Sequence, residues 1–216
     1  MKLKKNLFLT ILFLFTLNST AQSFKFDKLV VYESSKNNKE RSIFCKSGND
    51  NYFLKIYNTY YGQEAQIYDL ENRKVHYFEV TNKTIEGNQK EYNFKYKDSR
   101  IITEKYESQY FFDYVKISED SIYNYSKLIA YKNKSKKKIV YEIELKIRKD
   151  KSSYFSLYRF SMMHRYEYEK TFNFDIGGII ETSKIKGNDL IANEIILTNF
   201  EDFDLELVVP KEIIIK

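Results

Sequence analysis

The sequence contains very few of the residues that define several protein classes. Its 216 residues include one cysteine, one proline, six glycines and no tryptophan. A single cysteine excludes a disulfide-stapled scaffold and a zinc or redox site of the CxxC type. The scarcity of proline and glycine excludes collagen-like and low-complexity chains. Aromatic residues make up 17% and the formal net charge is +6, which argues against intrinsic disorder.

The N-terminus has the three parts of a secretory signal peptide. Three lysines precede an almost wholly apolar stretch over residues 7–17, and Ser19-Thr20-Ala21 supplies the small residues of a cleavage site. The apolar stretch is too short for a membrane span, which needs about 20 residues. Its end resembles the signal peptides of bacterial envelope and secreted proteins. We predict a signal peptide over residues 1–21 and a periplasmic or secreted mature chain.

Cleavage after Ala21 would leave 195 residues. The removed segment carries three lysines and no acidic residue, so the formal net charge of the mature chain is +3. No later stretch approaches the length of apolar sequence that a membrane-spanning helix requires. We therefore predict no transmembrane helix in the mature chain, and we expect no nucleic-acid partner in that compartment.

Strict alternation of apolar and polar residues predicts antiparallel strands over much of the mature chain. The clearest examples are Tyr141–Arg148, Glu91–Lys97 and Phe203–Leu207, and turn-forming residues such as 47–50 and 70–73 separate the runs. Regular spacing of such strands is typical of a barrel or sandwich. We predict a mainly β fold, a single antiparallel domain over residues 22–216 with about a dozen strands, forming an open or half-closed barrel or a sandwich. A half-barrel would resemble the shape of periplasmic lipoprotein carriers, whose concave sheet shelters an acyl chain.

One segment fits either a strand or a short helix. Residues 152–168 carry an apolar stripe at helical spacing, formed by Phe155, Leu157, Tyr158, Met162 and Met163. Ser152 or Ser153 could cap such a helix. The high aromatic content favours a strand instead, so we leave one short helix around residues 152–168 as an open alternative.

The sequence offers no recognisable catalytic, metal or cofactor site. The two histidines, His76 and His164, have no partners at metal-ligand spacing, and Cys45 lies in an apolar run typical of a buried thiol. There is no GxSxG or SxxK motif and no phosphate-binding glycine loop. Gly177-Gly178 indicates a bulge or a close backbone approach. Among the carboxylates, Glu142 with Glu144 and Asp204 with Glu206 have the spacing of solvated strand faces.

Two surface features are candidate binding sites. Tyr60 and Tyr61 lie in an apparent loop, where exposed tyrosine rings could stack on a ligand. The densest charge run contains five lysines that could contact an anionic surface such as lipid headgroups; these are Lys132, Lys134, Lys136, Lys137 and Lys138. Lysines at a hairpin could equally prevent neighbouring strand edges from pairing.

Three hypotheses for function follow. We favour a non-enzymatic envelope or secreted protein that binds an apolar or lipidic ligand in a concave β-sheet. The first alternative is a structural or assembly component that pairs with an envelope partner through a strand edge, such as the predicted C-terminal strand Glu212–Lys216. A weaker alternative is a hydrolase that uses two carboxylates from separate strands.

Overall fold

The computed structural model of the protein describes residues 21–36, 39–60, 62–84, 90–105, 107–168, 174, 176–187 and 190–210. The predicted signal peptide (except Ala21), Tyr61 and the predicted strand Glu212–Lys216 lie outside these residues. The elements are β1 (Gln22–Ser34), β2 (Lys39–Lys46), β3 (Asn49–Thr59), β4 (Gly62–Asp69), β5 (Lys74–Thr84), β6 (Lys90–Ile101), β7 (Phe111–Glu119), β8 (Tyr123–Tyr131), β9 (Ile139–Ser153), α1 (Phe155–Met162), β10 (Gly177–Gly187) and β11 (Leu190–Val209).

The strands form one antiparallel sheet in the order β6-β5-β4-β3-β2-β1-β11-β10-β9-β8-β7. Every strand lies beside its neighbours in the chain except β6 and β7, which form the two edges, and β1 pairs with β11. The sheet is not closed into a barrel. The predicted mainly β, antiparallel fold with one short helix is confirmed. Of the predicted architectures, the chain adopts an open sheet.

The two edge strands run in the same direction, because every pairing between them across the sheet is antiparallel. The segment that joins them is described at 102–105 and 107–110. It must therefore run back parallel to the strands before β7 begins. It contacts the β4–β5 turn, where Arg73 donates to the Ile102 carbonyl at 3.1 Å, and ends beside β9, where the rings of Tyr110 and Tyr141 lie 5.7 Å apart.

Both faces of the sheet are buried in places. In β2 the helix-packed face carries Ile43 and Cys45, whereas Phe44 points to the opposite face. We call these the helix face and the second face. The helix face packs against α1 and carries, among others, Val30, Tyr32, Phe53, Leu145 and Ile147. The second face carries a separate core of Phe24, Phe26, Phe44, Leu54, Ala65, Ile67 and Phe78.

The half of the sheet from β1 to β6 curls around the second face. Phe44 of β2 and Tyr92 of β6 are four strands apart, a separation of about 19 Å in a flat sheet, yet their ring centroids lie 6.0 Å apart. Phe24 of β1 and His76 of β5 are also four strands apart and lie at 5.2 Å. Phe24, Phe44 and Phe78 are all 2% exposed or less, so this curled half encloses a packed aromatic core.

Six of the eight residues of helix α1 are buried, including polar ones, which explains why its sequence does not show a clear amphipathic pattern. Its buried residues include Phe155, Leu157 and Tyr158 and also Arg159 and Ser161. An amphipathic stripe is expected only where one side of a helix meets water. The residue before the helix is Tyr154, which makes no side-chain capping hydrogen bond. The expectation that Ser152 or Ser153 caps the helix is therefore wrong: both residues belong to the end of β9.

Candidate functional site

A cleft of about 610 Å³ opens between β2 and β3 where their pairing ends at Ile43 and Lys55, near the end of α1. This volume lies within the range of small-molecule sites. The side chain of Arg41 stands at the rim and donates from Nη1 to the carbonyl of Ser161 in α1 at 3.0 Å, so that β2 and the helix are tied together there. The cleft is lined by Glu40, Arg41, Ser42, Lys55, Ile56, Tyr57 and Asn58.

The buried end of the cleft holds the amine of Lys55. Lys55 pairs with Ile43 across β2 and β3, so both residues face the helix side, and the lysine is only 8% exposed. Its Nζ donates to the hydroxyl of Tyr168 and lies 4.7 Å from the centroid of that ring and 5.7 Å from that of Phe53. Aromatic faces attract a cation, so the ammonium is held by rings rather than by an acid.

Lys55 makes no ion pair with a carboxylate among the described residues. Burial, with a smaller contribution from the positive charge of Arg41, lowers the pKa of its amine to about 7. Desolvation and a like charge both disfavour the protonated form. Glu40 also lines the cleft, but it makes no ion pair with either cation in the described part of the chain. The cleft therefore contains two basic side chains, neither of which is paired with a carboxylate among the described residues.

Tyrosine hydroxyls continue the polar network from β3 to β4. The hydroxyls of Tyr57 and Tyr68 lie 3.0 Å apart, and Tyr68 donates to Oε1 of Gln66 at 3.0 Å. Burial raises the pKa of both tyrosines. They are accordingly neutral at physiological pH and can donate or accept hydrogen bonds without adding negative charge.

A second buried polar cluster joins β4, β5 and β6. His76 and Asp69 are both 1% exposed; His76 Nδ1 lies 2.6 Å from Ser99 Oγ and His76 Nε2 lies 3.8 Å from Asp69 Oδ2. Burial alone would raise the pKa of Asp69, but the neighbouring His76 and hydrogen bonds from Asn72 and Gln22 lower it. The 3.8 Å separation is too long for a hydrogen bond. The cluster therefore cross-links strands and lacks the geometry of a serine triad.

The predicted tyrosine and lysine sites are not brought together. Tyr60 lies at the end of β3 and is 95% exposed, while Tyr61 falls outside the described residues. The five lysines 132–138 occupy the turn between β8 and β9 and are all exposed. Five strands separate β8 from β3 in the sheet. The Tyr60 and lysine assignments therefore remain separate predictions, each independent of the Lys55 cleft.

The paired carboxylates of β9 are neutralised by lysines. Lys127 Nζ lies 2.9 Å from Glu142 and 3.9 Å from Glu144, and Lys186 Nζ lies 2.7 Å from Glu144. Hydrogen bonding to Lys186 lowers the pKa of Glu144. A general acid needs a raised pKa. Glu142 and Glu144 therefore have the features of ion-paired residues on a solvated strand face and not those of a catalytic acid.

Cys45 is 4% exposed, and burial raises the pKa of its thiol. A second, smaller cleft of about 220 Å³ lies beside it. Because the thiolate is the reactive form, we expect alkylation by iodoacetamide at pH 8 to be at least ~100-fold slower in the native protein than in urea. Intact-mass measurement over time checks this. Rapid native labelling, or a disulfide-linked dimer, would contradict the burial of this thiol.

A scan against protein-family models finds no match for this chain, and a search of the curated proteins finds none either. Within the described residues, no three His, Cys, Asp or Glu side chains lie close enough together to hold a metal ion. None of the described helical segments is long and apolar enough to cross a membrane. Interpretation of the site therefore depends on its own chemistry.

Proposed function

We propose that the protein is an exported, non-enzymatic envelope protein that binds an amphipathic anion in the Lys55 cleft. The observation that carries the proposal is that a buried amine and Arg41 line one open cleft and that no carboxylate of the described residues forms an ion pair with either. Export is inferred from the signal-peptide pattern of residues 1–21. The proposal keeps the lipidic ligand expected from the sequence and adds an anionic group to it.

The charge arrangement supports an anionic ligand. An uncompensated buried cation is costly, and one carboxylate or phosphate placed between Lys55 and Arg41 would offset that cost. Arginine can hold such a group with two parallel hydrogen bonds. The Tyr168 hydroxyl already positions the lysine amine, so part of the ordering cost of binding is absent.

The walls of the cleft support an apolar body on the same ligand. Tyr57 lines it, and the rings of Phe53 and Tyr168 lie behind the lysine amine. Small-molecule sites combine such apolar and aromatic surface with a few polar groups that fix orientation. A short acyl chain or aromatic group carrying one acid satisfies both parts of the cleft.

The experiment compares three twelve-carbon probes below their micelle concentrations by titration calorimetry: dodecanoate, dodecanol and dodecyltrimethylammonium. We expect dodecanoate to bind and the other two to bind much more weakly. Loss of a charged hydrogen-bonding partner costs about 1.5–3 kcal/mol, so Lys55→Met and Arg41→Gln should each weaken dodecanoate binding by roughly 10- to 100-fold. Binding should also be tighter at pH 6 than at pH 9, since the Lys55 amine is protonated only at the lower pH.

Lys137→Gln is the matched control, because it removes one positive charge from an exposed turn far from the cleft in the sheet. It should leave the affinity unchanged. Equal affinity for all three probes, or equal loss in Lys55→Met and Lys137→Gln, would show that the cleft does not select an anion. Native mass spectrometry of the protein purified from its own envelope without detergent would then identify any ligand that it does carry.

A further inference from the structure

The turn between β8 and β9 presents lysines beside exposed apolar side chains. Residues 132–139 are all exposed, and backbone hydrogen bonds from Lys132 to Lys138 and from Lys136 to Asn133, both 3.0 Å, hold the turn in one shape. Lys136 pairs with Asp113. The other four lysines make no ion pair with a carboxylate among the described residues, so their charge is available to a partner.

Three apolar residues form a row directly next to this turn. Phe111 of β7 pairs with Tyr131 of β8, and Tyr131 pairs with Ile139 of β9. Residues paired across antiparallel strands lie on the same face. Phe111 is 43% and Ile139 47% exposed, and Tyr131 is half-buried between them. The row thus lies at the end of the sheet, on the face opposite Phe112, which packs against the core on the helix face.

Lys136 reaches Asp113 of the edge strand β7, but protection of that edge does not account for the other four lysines. The edge strands are β6 and β7, whereas β8 and β9 each have a partner on both sides. The turn therefore flanks two internal strands whose backbone groups are already paired. Edge protection therefore leaves unexplained why four lysines without an ion pair to a described carboxylate lie next to an exposed row of apolar residues.

We propose that this turn and row form a docking surface for an anionic lipid bilayer. Lysines near such a surface are attracted by its negative potential, and Phe, Tyr and Ile side chains enter the boundary between headgroups and acyl chains. Charge complementarity selects the bilayer over an apolar protein partner. The proposal is independent of the Lys55 cleft, since the two surfaces share no residue.

The test is sedimentation of the mature protein with vesicles of phosphatidylcholine alone or with about 30% phosphatidylglycerol. We expect binding to the anionic vesicles only, and weaker binding as salt is raised. The double variant Lys134→Gln/Lys137→Gln should bind at least tenfold more weakly, because each lysine contributes about fivefold. Phe111→Ser should bind about tenfold more weakly with its charge unchanged.

Two control variants match these changes elsewhere on the surface. Lys95→Gln/Lys97→Gln removes two exposed lysines from β6, and Ile122→Ser removes an apolar side chain that is 54% exposed. Both should bind the vesicles as the unmodified protein does. No binding by the unmodified protein, equal binding to neutral vesicles, or equal losses in test and control variants would each overturn the proposal. Lys55→Met should retain vesicle binding, so a failure here is distinguishable from a failure of the cleft to bind dodecanoate.

Discussion

Lys55→Met is expected to stabilise the protein at pH 6 while it weakens anion binding. Lys55 is 8% exposed, and its amine is held by aromatic rings and the Tyr168 hydroxyl without a carboxylate. Methionine has nearly the same length and carries no charge to desolvate, so it can fill the same space among the rings. A side chain that lowers stability and supports binding is the trade-off expected of a functional residue.

The pH dependence of this effect follows from the pKa of Lys55, which burial lowers from its ordinary value of 10.5 to about 7. Between these values the unfolded chain holds a proton that the folded protein has released, so the stability of the unmodified protein rises with pH. Below pH 7 both states hold the proton, and the full cost of burying the charge is present. At about 1.4 kcal/mol per pH unit, that cost amounts to several kcal/mol.

Urea unfolding of both proteins between pH 6 and pH 10.5 measures the difference. The gain in stability from Lys55→Met should be largest at pH 6, fall steadily above pH 7 and vanish near pH 10.5. Tyrosines that titrate in this range affect both proteins alike and cancel in the comparison. The exposed Lys137→Met is the control and should show no such dependence. A destabilised Lys55→Met at pH 6 would mean that the fold depends on the charged amine.

Lys55 had a signal in the sequence, although it belongs to no catalytic, metal-binding or phosphate-binding motif. Lys55 interrupts the run Tyr52–Tyr57, which is otherwise nearly all apolar. Such runs are typical of central strands that are buried on both faces, and a lone lysine within one is a candidate buried amine. What the sequence could not show is that α1 and Tyr168, which are 100 or more residues away, would pack around it.

The alternation of apolar and polar residues predicted most strands, because each strand keeps the same face towards the core over several residues. Ile143, Leu145 and Ile147 of β9 are all 3% exposed or less, as their spacing predicts. Alternation could not predict the curled half, since bulges interrupt it. Phe26 and Leu29 share the second face although they are three residues apart, because the pairing of β1 with β11 shifts register between Phe26 and Lys28. A bulge of this kind bends the strand and increases its twist.

Among Gly→Ala substitutions at the described glycines, Gly178→Ala is expected to lower the stability of the protein most. Gly178 has a φ of +123°, a backbone angle that residues other than glycine rarely adopt. A Cβ there would lie 2.1 Å from the backbone oxygen of Arg148 and 3.0 Å from its carbonyl carbon. Backbone strain and the clash together should cost at least about 3 kcal/mol. The sequence prediction of a bulge or close approach at Gly177-Gly178 is confirmed here.

The neighbouring glycine provides a control within the same bulge. A Cβ on Gly177 would meet only the Asp150 oxygen at 3.7 Å, an ordinary contact, so Gly177→Ala should cost less than about 1 kcal/mol. Gly178 also accepts a hydrogen bond from the Tyr154 amide at 3.0 Å, directly before α1 begins. Displacing this carbonyl moves the start of the helix whose far end borders the Lys55 cleft. Gly178→Ala should therefore also weaken dodecanoate binding at temperatures where it remains folded, and equal thermal stability of the two variants would contradict this account of the bulge.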